Sequence, residues 1–540
     1  MAQFDPLHQL SSSSTLWSRS NLGEAMPGVP TPLTWTIRSR SENLGTRQAV
    51  VDLGAFAAGK ANGDPLAPDT GTVAIFHGHP SLNVSNMLRV VAAMPGNSIA
   101  GAYQQLFGGQ GAPPSDIVDT RRRYPVIAAK MPYHAAAVGR RLRAVEETTK
   151  RAWRRLLPAS GDEPTVRLAF RQLSDLYTKV IRTQVLVIFL GQGCYQRLAE
   201  LAQDAGRPGL EVHLCGGYGG VEETALAEGL WDVAQGRRAM AEFLAEFGHH
   251  GPAEGELSAL SWREDATPLR LTLRTIATLA PERHPRRLEE AQRIERMSLQ
   301  AEMLAGLPGR RRVPARLTFA LTGRFIPMRE RGKSSMHRVL DLARGYARHA
   351  GLLLAQRGAL ADPSDVFYLT LEELLAPWRA DYREAVEFRK ERRAHYQTLS
   401  TPGEWIGMVR PSRREGRPIE RASVLDGAVS AGSVLEGIGG SPGIAEGAAR
   451  VVLDPAALTE PIEAGEILVC HTTDPSWVSL FLGADALVVD IGSVMSHAAI
   501  VARELGVPCV LNVHGGTTRI ADGDRLRVDG DTGTVTILPG

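Results

Sequence analysis

Between residues 85 and 375 apolar positions recur mostly at helical spacing. "DIVDTRRRYPVIAAKMPYHAAAVGRRLRAVEETTKRAWRRLL" (116–157) predicts one or two helices, with a break near Pro132. "TVRLAFRQLSDLYTKVIRTQVLVIFLGQGCYQRLAELAQDAG" (165–206) begins amphipathic and turns apolar all round, as a core helix does. "ETALAEGLWDVAQGRRAMAEFLAEFG", "HPRRLEEAQRIERMSLQAEMLAGL" and "SSMHRVLDLARGYARHAGLLLAQRGAL" predict further helices. "PSDVFYLTLEELL" reads as a short strand followed by a Thr-initiated helix. The first 50 or so residues are Ser/Pro-rich with scattered tryptophans and read as extended chain on the surface. In "FHGHP", His77 and His79 alternate as strand residues on one face would, and are a weaker candidate for ligand binding.

The texture changes near residue 400. "TPGEWIGMVRPSRREGRPIERA" is charged, holds Gly and Pro, and has little periodicity, which suits a linker. Beyond Val434 the apolar runs become short and β-like: "GAARVVL", "GEILVCH", "ADALVVD", "PCVLNV", "DRLRVDG" and "GTVTIL". One clear helix, 497–505, lies among them. The expected fold is multidomain α+β. A large, mainly α-helical substrate-binding domain (1–400) leads through a linker or hinge (401–437) to a small β/β/α domain (438–540).

A chain of 540 residues is too long for one core, which agrees with that division. A net charge of +2 does not call for nucleic acid or a membrane surface. No apolar run is long enough to span a bilayer, and the N-terminus lacks a secretory pattern. The four cysteines are far apart and form no CxxC pair. They read as reduced core residues of a cytoplasmic protein.

The chemistry points to one histidine. In "DIGSVMSHAAIVARELGVP" Ser496 is a good N-cap, and Gly506 with Pro508 a good stop. His497 therefore opens a helix, among unpaired backbone N–H groups and at the positive end of the helix dipole, where an attached anion is stabilised. A neutral imidazole is a competent nucleophile toward phosphorus. The same features suit a structural or capping histidine, and this local argument leaves both open.

"TDPSWVSLF", "DIGSVMSHAAIVARELGVPCVLNV" and "ADGDRLRVDGDTGTVTIL" closely resemble the swivelling phosphohistidine domain of the phosphoenolpyruvate synthase and pyruvate phosphate dikinase group. The resemblance implies that His497 carries a phosphoryl group. Arg503 is expected near that group and is read, with Ser496, as substrate-binding; Asp474 and Trp477 are read as bracing the domain and its docking surface. "LWSRSNLGEAMPGVPTPLTW", "LNVSNMLRVVAAMPG", "FGHHGPAEGELSALSWRED", "RFIPMRERGKSSMHR" and "DVFYLTLEELL" are similar to the substrate-binding part of rifampicin phosphotransferase and its relatives. Those relatives move the β-phosphate of ATP onto the histidine and then onto a hydroxyl of a small molecule. They usually begin with an ATP-grasp domain, for which no Gly-rich strand–loop precedes the helical region here. The implied reading is a phosphotransferase component. ATP and Mg²⁺ act only through a separate ATP-grasp partner, and this chain alone binds no cofactor and no metal. The alternatives are an ATP-independent dehydratase, with His497 as acid or base, and a non-catalytic binding subunit.

Arg329 and Lys333 are four residues apart and would share a helix face suited to an oxyanion. "RERGK" resembles the position where relatives neutralise the transferring phosphoryl. Glu330 and Arg331 between them read as exposed. A P-loop through Gly332, Lys333 and Ser334 is not expected, because Pro327 stands where a Gly is needed. In "GHHGPAEGELS", His250 replaces an Arg common in relatives, a titratable group for a permanent cation. His249, His250, Glu254 and Glu256 are read as a catalytic or substrate-binding cluster, with a structural turn as the alternative; a metal site is not expected, since neighbouring His side chains diverge on most backbones.

Overall fold

The computed structural model describes residues 4–539 apart from 13, 20–21, 23–25, 27, 58–62, 95–98, 101, 104–113, 115–116, 118–120, 158, 208, 221, 414–431, 456–457, 459, 461, 474–476, 495 and 514. Its principal helices are α1 (Pro32–Leu53), α2 (Tyr124–Leu156), α3 (Glu163–Asp204), α4 (Glu222–Ala234), α5 (Pro285–Gly306), α6 (Gly309–Gln356), α7 (Val478–Gly483) and α8 (His497–Leu505). The chain divides into two compact units. The first is Met1–Ile188, Ala253–Ala259 and Gly332–Glu420; the second is Phe189–Pro252, Leu260–Arg331 and Arg421–Gly540.

In the first unit, strands β1 (Leu16–Ser18), β2 (Val73–Phe76), β3 (His79–Asn83) and β4 (Glu404–Ile406) form an antiparallel sheet in the order β2–β3–β1–β4. His77 and Gly78 are the turn between β2 and β3. His77 takes a positive φ of 49°, so it does not share a strand face with His79. β4 lies inside the stretch read as linker, of which residues 414–431 fall outside the described residues.

The N-terminal 50 residues are not all extended, because α1 occupies Pro32–Leu53. Pro32 suits the first helical position, and Gly54 ends the helix at φ 87°. Its buried side carries Thr34, Arg38, Ser41, Glu42, Asn43 and Thr46, with Arg38 paired to Glu42 at 3.1 Å. A helix that buries polar residues among Leu33, Trp35, Ile37, Val50 and Leu53 leaves no clean apolar stripe in the sequence. α1 packs beneath Leu33 and Ile37 on a core that includes Trp153, Phe170, Tyr177, Leu340 and Phe367. α2 runs unbroken through Pro132, and α6 through Pro314 and Pro327. The expected strand at "DVFY" is instead a 3-10 helix, Pro363–Tyr368, because Asp362 caps it in a reciprocal capping box with Asp365. Thr370 caps the helix after it in the same way, as the sequence indicates.

In the second unit every β-like run becomes a strand. β5 (Val434–Glu436), β6 (Ile438–Ser441), β7 (Ile444–Val452), β8 (Glu466–Cys470), β9 (Ala486–Val489), β10 (Cys509–Leu511), β11 (Arg525–Asp529) and β12 (Thr534–Ile537) form one sheet in the order β5–β12–β11–β7–β8–β9–β10–β6. The central β7–β8–β9–β10 block is parallel and the flanking strands are antiparallel. One face packs Ala449, Val469, Val488, Leu526 and Val535 together. On the other, Leu468, Leu487 and Leu511 join Val478 and Phe481 of α7, Ala499 and Ala502 of α8, and Leu226, Leu230 and Trp231 of α4 in one continuous core. Helices from 189–331 and the β/α stretch thus bury the same apolar surface. The four cysteines are unpaired and buried. Among the described residues no helix is long and apolar enough to cross a membrane.

Candidate active site

β9 delivers the chain to the carboxyl edge of the parallel strands, where open α/β sheets place their ligands. The next helix, α8, starts at His497 because Ser496 holds an extended backbone and its Oγ accepts from the Ala499 N–H at 3.5 Å. It ends because Gly506 takes the left-handed conformation at φ 63°. The loop before it is tied at both sides. Asp490 accepts from the Thr517 N–H at 3.0 Å and from the Thr517 hydroxyl, and lies 3.1 Å from Nδ1 of His471. Arg503 donates to the Gly440 carbonyl at 2.9 Å and to the Val494 carbonyl at 2.7 Å. Its guanidinium fastens the loop that carries His497 to β6.

His497 is buried. Its Nδ1 stands 3.7 Å from Oε1 of Glu223, in the first turn of α4. The Phe481 ring lies 6.3 Å away, centroid to centroid. Glu330 completes the group, with ligand-type atoms of Glu223, Glu330 and His497 all within 4.8 Å of one another. The expectation that Glu330 is exposed is wrong: it is 2% exposed, because its position on α6 turns it inward while Arg329 and Arg331 stay half-exposed. Two carboxylates and one imidazole therefore share a buried space, an arrangement that favours holding or moving a proton.

A second group lies in the same unit. The rings of His249 and His250 are 4.1 Å apart and tilted by 37°, so these neighbours converge instead of diverging. Gly251 lets the backbone after them lie close to residues 260–262, as a Cβ there would meet the Leu260 carbonyl at 2.7 Å. His250 also packs against Phe247 and Trp262. Nε2 of His249 is 3.9 Å from Oε1 of Glu222, and ligand-type atoms of Glu222, His249 and His250 come within 4.8 Å of one another. In both groups that spacing would have to close to about 3 Å between neighbouring ligands to hold a small divalent ion.

Glu254, Glu256 and Lys333 belong to the first unit. Glu254 is buried in an ion pair with His337. Glu256 accepts from the Thr31 N–H (3.0 Å) and hydroxyl (2.7 Å), the Thr34 hydroxyl (2.8 Å), and the Ser258 N–H (2.9 Å) and hydroxyl (2.8 Å). These bonds fasten the start of α1. Arg329 and Lys333 both sit half-exposed on α6, one turn apart in sequence. Trp477 is buried in the core of the second unit, and Asp474 lies outside the described residues.

Sequence reasoning missed Glu222, Glu223 and His337. The first two directly follow "GGYGGV", so they open a helix after a glycine-rich turn, which is a readable signal. It also missed Glu504. Burial and the Glu289 carboxylate push that group up to about 7, against the pull of the Gly219 and Tyr218 N–H groups.

The description "PEP-utilising enzyme, mobile domain" matches residues 462–533, and "Rifampicin phosphotransferase fourth domain" matches 194–330. A rifampicin phosphotransferase of Streptomyces sviceus is 42% identical over 192 residues, covering 34% of this chain and 20% of the relative. One from Streptomyces sp is 33% identical over 339 residues, 59% of this chain and 37% of the relative. One from Bacillus subtilis is 30% identical over 318 residues, 56% of this chain and 34% of the relative. The chain thus spans between 20% and 37% of the length of these curated relatives.

Proposed function

We propose that this chain, similar over part of its length to rifampicin phosphotransferases, carries a phosphoryl group on His497 and passes it to a hydroxyl of a small, fairly apolar metabolite. The observation that carries the reading is the position of His497. It opens a helix at the carboxyl edge of parallel strands, inside the stretch that matches the mobile domain. The backbone N–H groups of the first turn of α8 suit a phosphoryl oxygen. Arg329 and Lys333, one turn apart on α6, are the cations proposed to meet charge developing on the transferred group, with His250 and His249 near the acceptor. The phosphoryl is proposed to come from ATP and Mg²⁺ bound by an ATP-grasp donor, in the cytoplasm.

The buried carboxylates beside His497 favour a second reading, a dehydratase in which His497 moves a proton and no phosphoryl is carried. Intact-mass measurement separates the two. With an ATP-grasp donor domain and ATP, the phosphotransferase reading expects an acid-labile, base-stable phosphoryl on the wild-type chain and none on His497→Ala or His497→Asn. Loss of water from a hydroxylated metabolite with no adduct supports the dehydratase. Full turnover by both variants defeats both readings.

A further inference from the structure

We propose that Glu223 is the positioning residue of the phosphocarrier histidine: it holds the proton on Nδ1 of His497, so that Nε2 is the nitrogen that carries the phosphoryl. The inference rests on the phosphotransferase reading and assigns a role to a residue outside the mobile-domain match, on α4.

The geometry supplies three reasons. First, Nδ1 of His497 stands 3.7 Å from Oε1 of Glu223, an ion-pair separation that a small ring rotation closes to a hydrogen bond. A carboxylate beside one imidazole nitrogen fixes the tautomer and the ring orientation. Second, Glu223 sits in the first turn of α4, where backbone N–H groups and the helix dipole favour a negative carboxylate. Third, both partners are anchored. His497 is the first residue of α8, while α4 is locked through Leu226, Leu230 and Trp231 into the core that α8 shares. The contact therefore joins two rigid elements rather than two loops.

The chemistry requires such a partner. When an acceptor hydroxyl attacks phosphorus, the new O–P bond forms as the P–Nε2 bond breaks. The bonding pair returns to Nε2. If Nδ1 keeps its proton, the departing group is a neutral imidazole; if it has lost it, the departing group is an imidazolate anion, a far poorer leaving group. Glu223 retains that proton at Nδ1. The acceptor's own proton passes to the Glu330 carboxylate, the other acid of the group, and from there to water.

The test uses the full-length chain. In ¹⁵N-histidine-labelled protein, with His497→Asn to identify the signal, the unmodified His497 should show a protonated Nδ1 and a bare Nε2. The opposite tautomer overturns the proposal without any Glu223 variant. The chain is then loaded with potassium phosphoramidate and phosphoryl loss is followed by intact mass at neutral pH. Glu223→Gln should lose phosphoryl about 10- to 100-fold more slowly than wild type, and Glu223→Asp should recover part of the rate. Loading of wild type and Glu223→Gln with equal lability defeats the positioning role alone. Equal uptake by wild type and His497→Asn defeats the phosphocarrier reading, and the proposal with it.

Discussion

Glu256 accepts the Thr31 hydroxyl at 2.7 Å across 225 residues of sequence, and the same carboxylate takes four further donors. Its oxygens are committed to the start of α1 and to the Ser258 turn. Glu256→Ala leaves these donors without their acceptor and should destabilise the first unit by about 2 kcal/mol or more. Urea unfolding followed by far-UV circular dichroism checks this. An unchanged midpoint would mean that the threonines find other acceptors at no cost.

Glu504 makes stability depend on pH. Its carboxyl has an ordinary value of 4.5 and is pushed up to about 7 in the folded chain, first by burial and then by Glu289. The folded state thus holds the proton more tightly than the unfolded chain. Its contribution is full below about 4.5 and is lost as pH rises through about 7. Glu504→Gln should melt a few degrees above wild type near pH 8 and show no such gain near pH 4. Parallel melting curves at the two values decide it.

Arg503 serves two carbonyls with one planar group, and an ammonium cannot reproduce that fork. Arg503→Lys should lower stability by about 2 kcal/mol and loosen the loop that ends at Ser496. Faster hydrogen exchange confined to residues 491–497 is the expected signature. Exchange unchanged there would show that Asp490 alone holds the loop.

Arg329→Ala and Lys333→Ala test whether these cations act on developing charge. If they do, kcat should fall about 10- to 100-fold with a smaller rise in KM. A change in KM alone makes them binding residues.

How much of this was legible depends on the range of the interaction. The α8 helix was readable because Ser496, Gly506 and Pro508 are local signals, and the strands of the second unit because their apolar runs are short and separated by glycines. α1 was hidden because its buried residues, Thr34, Arg38 and Glu42 among them, look like surface. The turn at His77–Gly78 was hidden because alternation alone cannot tell a strand from a two-residue hairpin. Around His497 the limit is sharper. Glu223 lies 274 positions away in the chain and meets His497 only through the shared core. Glu330 stands between two arginines, and only the rotation of α6 separates it from them.

The buried cysteines have a practical corollary. Burial pushes the Cys194 thiol up to about 11 and those of Cys215 and Cys509 to about 12, and raises Cys470 well above its ordinary value. Thiolate, the form that reacts with maleimides and iodoacetamides, is thus nearly absent at neutral pH. The native chain is a silent background for thiol chemistry. One cysteine introduced at an exposed position, such as Leu352 on α6 or Val434 at the edge of the β/α sheet, can carry a fluorophore or spin label without removing any of the four natural ones.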